Sequence, residues 1–238
     1  MTDPTASDPG TGDVRAESTS PGLSPKSLFT LATWFSPSFP VGAYTYSHGL
    51  ELAVYEGSVS CVQSARDWIS DCIEYGSGRN DSILLTHAWR AGIGGESRAM
   101  EEISALAAAF APSAERLREM DGQGRAFADA VGDVWGRARP APYPVAVGWA
   151  SANHGLPLEE TVLFYIHAFA SSLVSAAIRL VPIGQTDGQR LLATLEPLCA
   201  RVAADAPGLK LDAMGGCAIT ADIASMKHET QHVRLFRS

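Results

Sequence analysis

The sequence lacks the features that mark most nucleic-acid-binding and secreted proteins. Its 18 Lys and Arg are outnumbered by 26 Asp and Glu, and a net charge of −8 leaves no basic stripe to neutralise phosphates. The N-terminus has no apolar stretch of the kind that directs secretion. The four cysteines form no C-x-x-C pair that would indicate zinc or redox chemistry, so we expect reduced, mostly buried thiols in a cytoplasmic protein. Nucleic acid is therefore not expected as a partner.

The motifs of several large enzyme classes are also missing. The chain has no G-x-x-x-x-G-K-[ST] phosphate loop, no G-x-G-x-x-G dinucleotide fingerprint and no G-x-S-x-G nucleophile elbow. No segment alternates apolar and polar residues with period two, and nothing resembles a βαβ unit. We therefore predict an all-α protein without an evident active site.

The composition favours a single globular domain preceded by a tail. Apolar residues make up 46% and charged residues 18% of the chain, and 238 residues are enough to bury a sizeable core. Residues 1–25 are rich in Asp, Thr, Ser, Pro and Gly and offer little to bury, which predicts a disordered tail. Residues 26–238 are then predicted to form one helical domain of about ten helices.

Two segments have the pattern of buried helices. In Ala114–Trp135, apolar residues alternate spacings of three and four as a single stripe, and its glycines predict close approach by a neighbouring helix. The second helix is predicted to start at Pro157 and run to Val181, and it is apolar nearly all round. Its uncharged stretch Val162–Ile178 is short and diluted for a membrane span, so we expect a helix in the core or at a subunit interface, with no membrane.

Start and stop signals predict several further helix boundaries. Asn80 or Asp81 is expected to cap a helix that ends at a Gly-rich stretch after Trp89. Thr186 and Gln189 have the spacing of a capping box, and Pro197 should kink or split the helix that follows.

The stretch Ser36–Glu51, SPSFPVGAYTYSHGLE, is predicted to be a rigid loop between two helices. Pro37 and Pro40 disfavour helix at the residues before them, and Gly42 permits a turn that a Cβ would strain. His48 and Glu51 are three residues apart and lie on one face if this part is helical. They would either act as an acid–base pair, or His48 would be a structural residue held by hydrogen bonds within the loop. The loop is expected to pack a core or to present a contact surface.

One motif near the end of the chain matches the pattern of a zinc site. His228, Glu229 and His232 fit H-E-x-x-H, in which two histidines one helical turn apart bind zinc and Glu activates water. A catalytic zinc needs a third protein ligand, but only six residues follow, and two of them are arginines. A zinc-dependent hydrolase is therefore the alternative hypothesis, and a partly basic tail that docks on an acidic partner is preferred.

Four stretches in order resemble the urease accessory protein UreF family. They are Ser36–Glu51, Glu159–Pro182, Gly184–Gln189 and the C-terminal Asp222–Ser238, so that the resemblance covers residues 26–238. One departure is Tyr44, where the family pattern has Phe.

The resemblance implies an all-α homodimer that is not an enzyme, and we expect no cofactor. It implies a scaffold in nickel-centre assembly that joins a UreD/UreH-type accessory protein to the GTPase UreG, regulates that GTPase and helps deliver nickel to apo-urease. In this family the H-E-x-x-H match falls in a partner-binding region.

The resemblance and the loop together give the predicted partner-binding residues. The loop contributes residues for packing or for a partner, and the second and third stretches contribute weaker candidates for dimer or GTPase contacts. Residues Lys227–Ser238 at the C-terminus are predicted to dock the UreD/UreH-type protein. The residues, in chain order, are Tyr44, Tyr46, His48, Glu51, Arg179, Gln185, Gln189, Lys227, His228, Glu229, Gln231, Arg234, Phe236 and Arg237.

Overall fold

The computed structural model describes residues 23–215 and 218–237. These residues form ten α-helices and three short 3-10 helices, joined by loops, and no β-strand. This confirms the all-α prediction. The α-helices are α1 (Pro25–Trp34), α2 (Leu50–Tyr55), α3 (Val62–Glu74), α4 (Ser77–Gly94), α5 (Ser97–Ala109), α6 (Ala114–Val134), α7 (Tyr143–Asn153), α8 (Leu158–Leu180), α9 (Gln185–Asp205) and α10 (Ile219–His228). The 3-10 helices are Ala43–Thr45, Ala206–Gly208 and Leu211–Ala213.

The predicted tail, residues 1–25, lies almost wholly outside the described residues. Its last residues already belong to the folded domain. The hydroxyl of Ser24 accepts a hydrogen bond of 3.1 Å from the Ser27 N–H, and α1 begins at Pro25, where the missing N–H costs nothing.

Glycine lets several segments pack closely around the core. A Cβ on Gly148 of α7 would collide with the Leu85 carbonyl of α4, and one on Gly188 of α9 would collide with Ile178 of α8. In α6 the expected close approach exists only at Gly124, where a Cβ would collide with the Ala141 carbonyl of the segment before α7. That neighbour is a loop and not a helix, because Ala141 lies in the connection between α6 and α7.

The buried stripe of α6 is shorter than predicted. Met120, Phe127 and Val131 are buried, as expected, and they pack in the core. Val134 is 68% exposed, because α6 ends there and its last turn extends past the core.

Helix α8 packs against α3, α4 and α9. Among the described helices it is the one long and apolar enough to cross a membrane, and half of its most apolar window is buried inside the protein. Val162 and Ile166 are fully buried, whereas Ser175 on the opposite face is exposed and Leu163, at the edge between the two faces, is 41% exposed. The helix thus fills the core with one face, as predicted, and leaves the other face uncovered.

Several predicted boundaries are wrong. Helix α4 begins at Ser77, so Asn80 and Asp81 lie inside it, and the Asp81 carboxylate pairs with Arg116. Helix α9 begins at Gln185, next to Gly184, and contains no Thr186–Gln189 capping box. It is also not split at Pro197 but continues to Asp205. In both cases tertiary packing outweighs a local signal.

The cysteines are partly as expected. Cys72 and Cys199 are buried free thiols, but Cys61 is exposed at the start of α3. Cys217 lies outside the described residues.

Candidate functional site: the α1–α2 loop and the C-terminal segment

The loop between α1 and α2, residues 36–49, takes its shape from left-handed backbone positions. Gly42 has φ +73°, as the turn prediction required, and Gly49 has φ +74°. His48 has φ +52°, which is uncommon for a residue with a Cβ. Helix α2 therefore begins only at Leu50, within the last two residues of the predicted loop.

Gly49 also brings the loop into direct contact with α10. A Cβ at this position would lie 2.8 Å from the Ser225 backbone N and 2.9 Å from the Ala221 carbonyl O. Only glycine satisfies both this close approach and the positive φ. The first turn of α2 is thereby held against the last helix of the chain.

Glu51 lies in that first turn, and its buried carboxylate collects donors from the end of the chain. It accepts hydrogen bonds from the Leu235 N–H at 2.7 Å and the Phe236 N–H at 2.9 Å. The Nε2 atom of His228 lies 3.1 Å from the same carboxylate. A single carboxylate therefore fixes α10 and the residues that follow it.

His228 is fully buried and sits between two carboxylates. Its Nδ1 atom lies 2.8 Å from Oε2 of Glu115, at the N-terminus of α6, while its Nε2 faces Glu51. Glu115 also receives a hydrogen bond of 2.6 Å from Arg234. The cluster Glu51, Glu115, His228 and Arg234, which we name the carboxylate cluster, joins α2, α6, α10 and the C-terminus.

The C-terminal segment, residues 229–237, lies against the α1–α2 loop. The Arg237 N–H donates to the Thr45 carbonyl at 2.7 Å, and the Phe236 side chain is 4% exposed. The Arg179 guanidinium lies 4.3 Å from the Phe236 ring centroid and donates to the Tyr44 carbonyl at 2.7 Å. Arg179 thus clamps the segment and the loop together through a cation–π contact and a hydrogen bond.

His48 and Glu51 do not pair with each other, contrary to the acid–base interpretation. The left-handed backbone at His48 turns its ring toward α6, where Nε2 lies 3.3 Å from Glu119. The ring also packs edge-on against Phe169 at 4.9 Å. Each of the two residues therefore has a separate structural partner.

Glu119 belongs to a second buried network. Arg116 pairs with both Glu119, at 3.0 Å, and Asp81, and the Tyr165 hydroxyl donates to Asp81 at 2.7 Å. Burial alone would raise the pKa of Glu119, but the charges of Arg116 and His48 outweigh it and hold that pKa at about 2. Burial opposes the charged form of Arg116, yet Asp81 and Glu119 raise its pKa above the ordinary value. Burial likewise raises the pKa of Tyr165.

Sequence reasoning missed Glu115, Arg116 and Glu119. They flank the apolar stripe of α6, and the i, i+4 spacing of the two glutamates places both carboxylates on one side of the helix. That spacing was a usable signal, although their partners lie on other elements: His228 of α10, 113 residues away, Asp81 of α4 and His48 of the loop between α1 and α2.

The remaining predicted residues are spread around this centre. Tyr44, 64% exposed, borders a cleft of about 290 Å³ with Gln185 and Gln189. Lys227 pairs with Glu56 at 3.4 Å on the surface, and Tyr46 is buried. The Glu229 carboxylate accepts from the Ala114 N–H, and Gln231 donates to the Val233 carbonyl.

Burial changes the role of four predicted contact residues. Tyr46, Glu51, His228 and Phe236 are buried within the chain, so in this conformation they offer no surface to a partner. The last three instead hold the C-terminal segment in place. The segment's outward side chains are Val233, 82% exposed, and Leu235, 77% exposed, with Arg234 and Arg237 beside them.

The H-E-x-x-H geometry required for zinc does not form. Helix α10 ends at His228, so His232 lies beyond it rather than one helical turn along the same face. Both ring nitrogens of His228 face carboxylates. Within residues 23–215 and 218–237, no group of three or more His, Cys, Asp or Glu side chains is arranged to hold a metal ion.

Comparison with known proteins gives matches over most of the chain. The family model described as UreF matches residues 59–196. The urease accessory protein UreF of Cereibacter sphaeroides is 50% identical over 212 residues, which cover 89% of this chain and 98% of that protein. The proteins of the same name from Rhodopseudomonas palustris and Xanthobacter autotrophicus are 47% and 46% identical, and the matches cover 94% and 92% of their lengths.

Proposed function

Because the chain belongs to the UreF family of urease accessory proteins, we propose that it is a non-catalytic scaffold in the assembly of the urease nickel centre. Nickel is the cargo of this assembly and not a resident cofactor of the chain. The names of the relatives, accessory proteins rather than enzymes, support this role.

The proposed partners are a UreD/UreH-type accessory protein, the GTPase UreG and apo-urease. The observation that carries the proposal beyond the family is the C-terminal segment. It is anchored by buried residues, yet it exposes Val233 and Leu235 next to two arginines. Exposed apolar side chains on an anchored segment are suited to a protein interface, and the exposed Arg237 beside them favours an acidic rim on the partner. We assign this segment to the UreD/UreH-type protein.

A second surface is proposed for UreG or for a second copy of the chain in a homodimer. The cleft beside Tyr44 is lined by the exposed face of α8 and the first turns of α9, including Gln185 and Gln189. Arg179 is exposed at the end of α8 and joins this cleft to the C-terminal segment. A partner bound in the cleft would therefore lie next to one bound on the segment.

We also propose a cytoplasmic location and regulation of the UreG GTPase through these contacts. Free thiols at Cys61, Cys72 and Cys199 are in keeping with a reducing compartment.

The test is co-purification of the chain with the UreD/UreH-type protein and UreG. The intact chain should retain both proteins, and deletion of residues 229–238 should remove the UreD/UreH-type protein. The double substitution Val233→Glu, Leu235→Glu should have the same effect without disturbing the buried anchor. Ile93→Glu, at an apolar residue 61% exposed at the end of α4, is the matched control and should leave the complex intact. Unchanged retention by the truncated chain would contradict the assignment.

A further inference from the structure

Helix α10 places its large apolar side chains outward and its small side chains inward. Ile219, Ile223 and Met226 are 63%, 47% and 50% exposed, and their spacing of four and three puts them on one face of the helix. A surface helix normally has the opposite arrangement, with its large apolar residues against the core. The inward face consists of residues that are at most 7% exposed: Ala221, Ala224, Ser225 and His228. The described part of the chain therefore leaves the large apolar side chains of α10 open to solvent.

The contact with Gly49 explains why the inward residues are small. A Cβ on Gly49 would lie 2.8 Å from the Ser225 backbone N and 2.9 Å from the Ala224 Cβ, so α10 lies directly on the loop backbone. Rotating α10 so that Ile223 turned inward would place a larger side chain where there is no room for one further carbon. The outward apolar face is therefore fixed by the packing of α10.

Buried polar contacts hold α10 in this orientation. At its C-terminal end His228 is fully buried between Glu51 and Glu115. Near its middle the Ser225 hydroxyl lies 2.7 Å from the hydroxyl of Ser113, the N-cap residue of α6. The apolar face is thus held in place before any partner arrives, and a partner loses little conformational entropy by ordering it.

The charges on α10 lie at the edges of this face. At 3.6 residues per turn the three apolar residues span an arc of about 60°, with Asp222 on one side and Lys227 on the other. Lys227 is already paired with Glu56 at 3.4 Å. An apolar centre with charged residues at its rim is the usual composition of a protein–protein interface.

The C-terminal segment alone is small for the interface assigned to it. A stable interface takes about 20–30 residues from each partner. The segment has nine described residues, 229–237, and Phe236 is buried among them. Because α10 runs directly into this segment, its outward face is the apolar surface next along the chain from Val233 and Leu235. The face therefore supplies area that the segment lacks.

The position of α10 also separates its outward face from the second proposed surface. Helix α10 packs on α2, α3 and α6. The cleft proposed for UreG or for a second copy of the chain is lined instead by the α1–α2 loop, α8 and α9. The face on α10 thus belongs with the C-terminal segment.

We propose that Ile219, Ile223 and Met226 form the apolar centre of the docking surface for the UreD/UreH-type protein, and that the C-terminal segment adjoins it. This inference rests on the proposed function, from which it takes the identity of the partner. The partner should offer an apolar surface to α10 and acidic residues opposite the exposed Arg237.

Oxidation of methionine by hydrogen peroxide, read by mass spectrometry, tests the proposal on the unaltered chain. Met226 is 50% exposed and should form its sulfoxide readily in the free chain. In the complex with the purified UreD/UreH-type protein its oxidation should slow severalfold. Met100 and Met120, which are 5% and 2% exposed, are internal controls and should react slowly in both states. An unchanged rate at Met226 in the assembled complex would overturn the proposal.

Substitutions on α10 test the contribution of the face to affinity. The double variant Ile219→Glu, Ile223→Glu should bind the purified UreD/UreH-type protein about tenfold more weakly or worse, because two carboxylates would have to lose water in an apolar contact. Both side chains are exposed, so the variant should keep the melting temperature of the wild type. Ile93→Glu, at an isoleucine 61% exposed at the end of α4, is the matched control and should bind like the wild type.

The outcomes distinguish this inference from the proposed function. If the wild-type chain does not bind the UreD/UreH-type protein, the proposed function is wrong and the inference is wrong with it. If Val233→Glu, Leu235→Glu abolishes binding but the α10 double variant binds like the wild type, the proposed function stands and the inference alone is wrong. Sedimentation of the free chain tests a second copy as the occupant. A change of oligomeric state in the α10 double variant, without a change of affinity, would assign the face to self-association and reject the inference.

Discussion

Glu51 and His228 are 177 residues apart in the sequence, yet the Glu51 carboxylate lies 3.1 Å from the His228 ring. Both residues are buried, and both belong to stretches that the sequence alone suggested as partner contacts. Their pairing closes the end of the chain onto its first loop. The residues that stand out in these two stretches are therefore buried and support the surface from below. Other residues of the same stretches are exposed on that surface.

We expect the Glu51–His228 pair to be strongly coupled. Glu51→Ala leaves the buried His228 ring and two backbone N–H groups without their shared partner, which should lower the free energy of unfolding by about 3–5 kcal/mol. The double variant Glu51→Ala, His228→Leu should cost clearly less than the sum of the two single variants, because the orphaned ring nitrogen is gone. Denaturant unfolding measures the free energy of unfolding of the two single variants and of the double variant.

Glu56→Ala is the control for that cycle, because it removes an exposed pair with Lys227 on the same two helices. It should cost less than about 1 kcal/mol. Additive costs of the Glu51 and His228 substitutions would show that the buried pair is not coupled.

Gly49 and Gly42 offer a matched test of the contact between the loop and α10. Both have a left-handed backbone, φ +74° and +73°, but a Cβ meets α10 only at Gly49 and has open space at Gly42. Gly42→Ala should cost about 1–2 kcal/mol of folding free energy from backbone strain alone. Gly49→Ala should cost more, since α2 and α10 must also separate. Equal costs in thermal or chemical unfolding would mean that the contact contributes little.

Stability at acid pH should depend on Glu119. Its ordinary pKa of 4.5 falls to about 2 in the folded chain, where the charges of Arg116 and His48 outweigh the effect of burial. A depressed folded-state pKa stabilises the fold above the unfolded value, and this contribution is lost as the pH falls from about 4.5 through about 2. The loss should be on the order of 3 kcal/mol. The difference in unfolding free energy between wild type and Glu119→Gln should therefore shrink over that range, and a constant difference would refute the assignment.

Local signals predicted much of the fold. Prolines and glycines placed the α1–α2 loop, including the left-handed turn at Gly42, and apolar spacing found the buried faces of α6 and α8. These predictions are correct because turn geometry and helix periodicity depend on residues close in sequence. The capping box at Thr186 failed because the start of α9 is fixed by packing, through Gly188 against Ile178.

The candidate site was only half predictable for the same reason. Its residues on the loop and the C-terminal segment stand out in the sequence, whereas the carboxylates that bury His228 come from α2 and α6. When those partners are not known, the sequence suggests that His228 is an exposed basic residue and that H-E-x-x-H is a zinc site. Pairings across 113 or 177 residues leave no local trace in one sequence.

The proposed role in loading nickel into urease is tested by expressing the cognate urease gene cluster with its UreF gene deleted and supplying this chain in trans. The nickel bound per urease active site and the urease activity are then measured. We expect nickel-loaded, active urease with the intact chain and little of either when residues 229–238 are deleted. Equal nickel content with and without the folded intact chain would refute the proposed role.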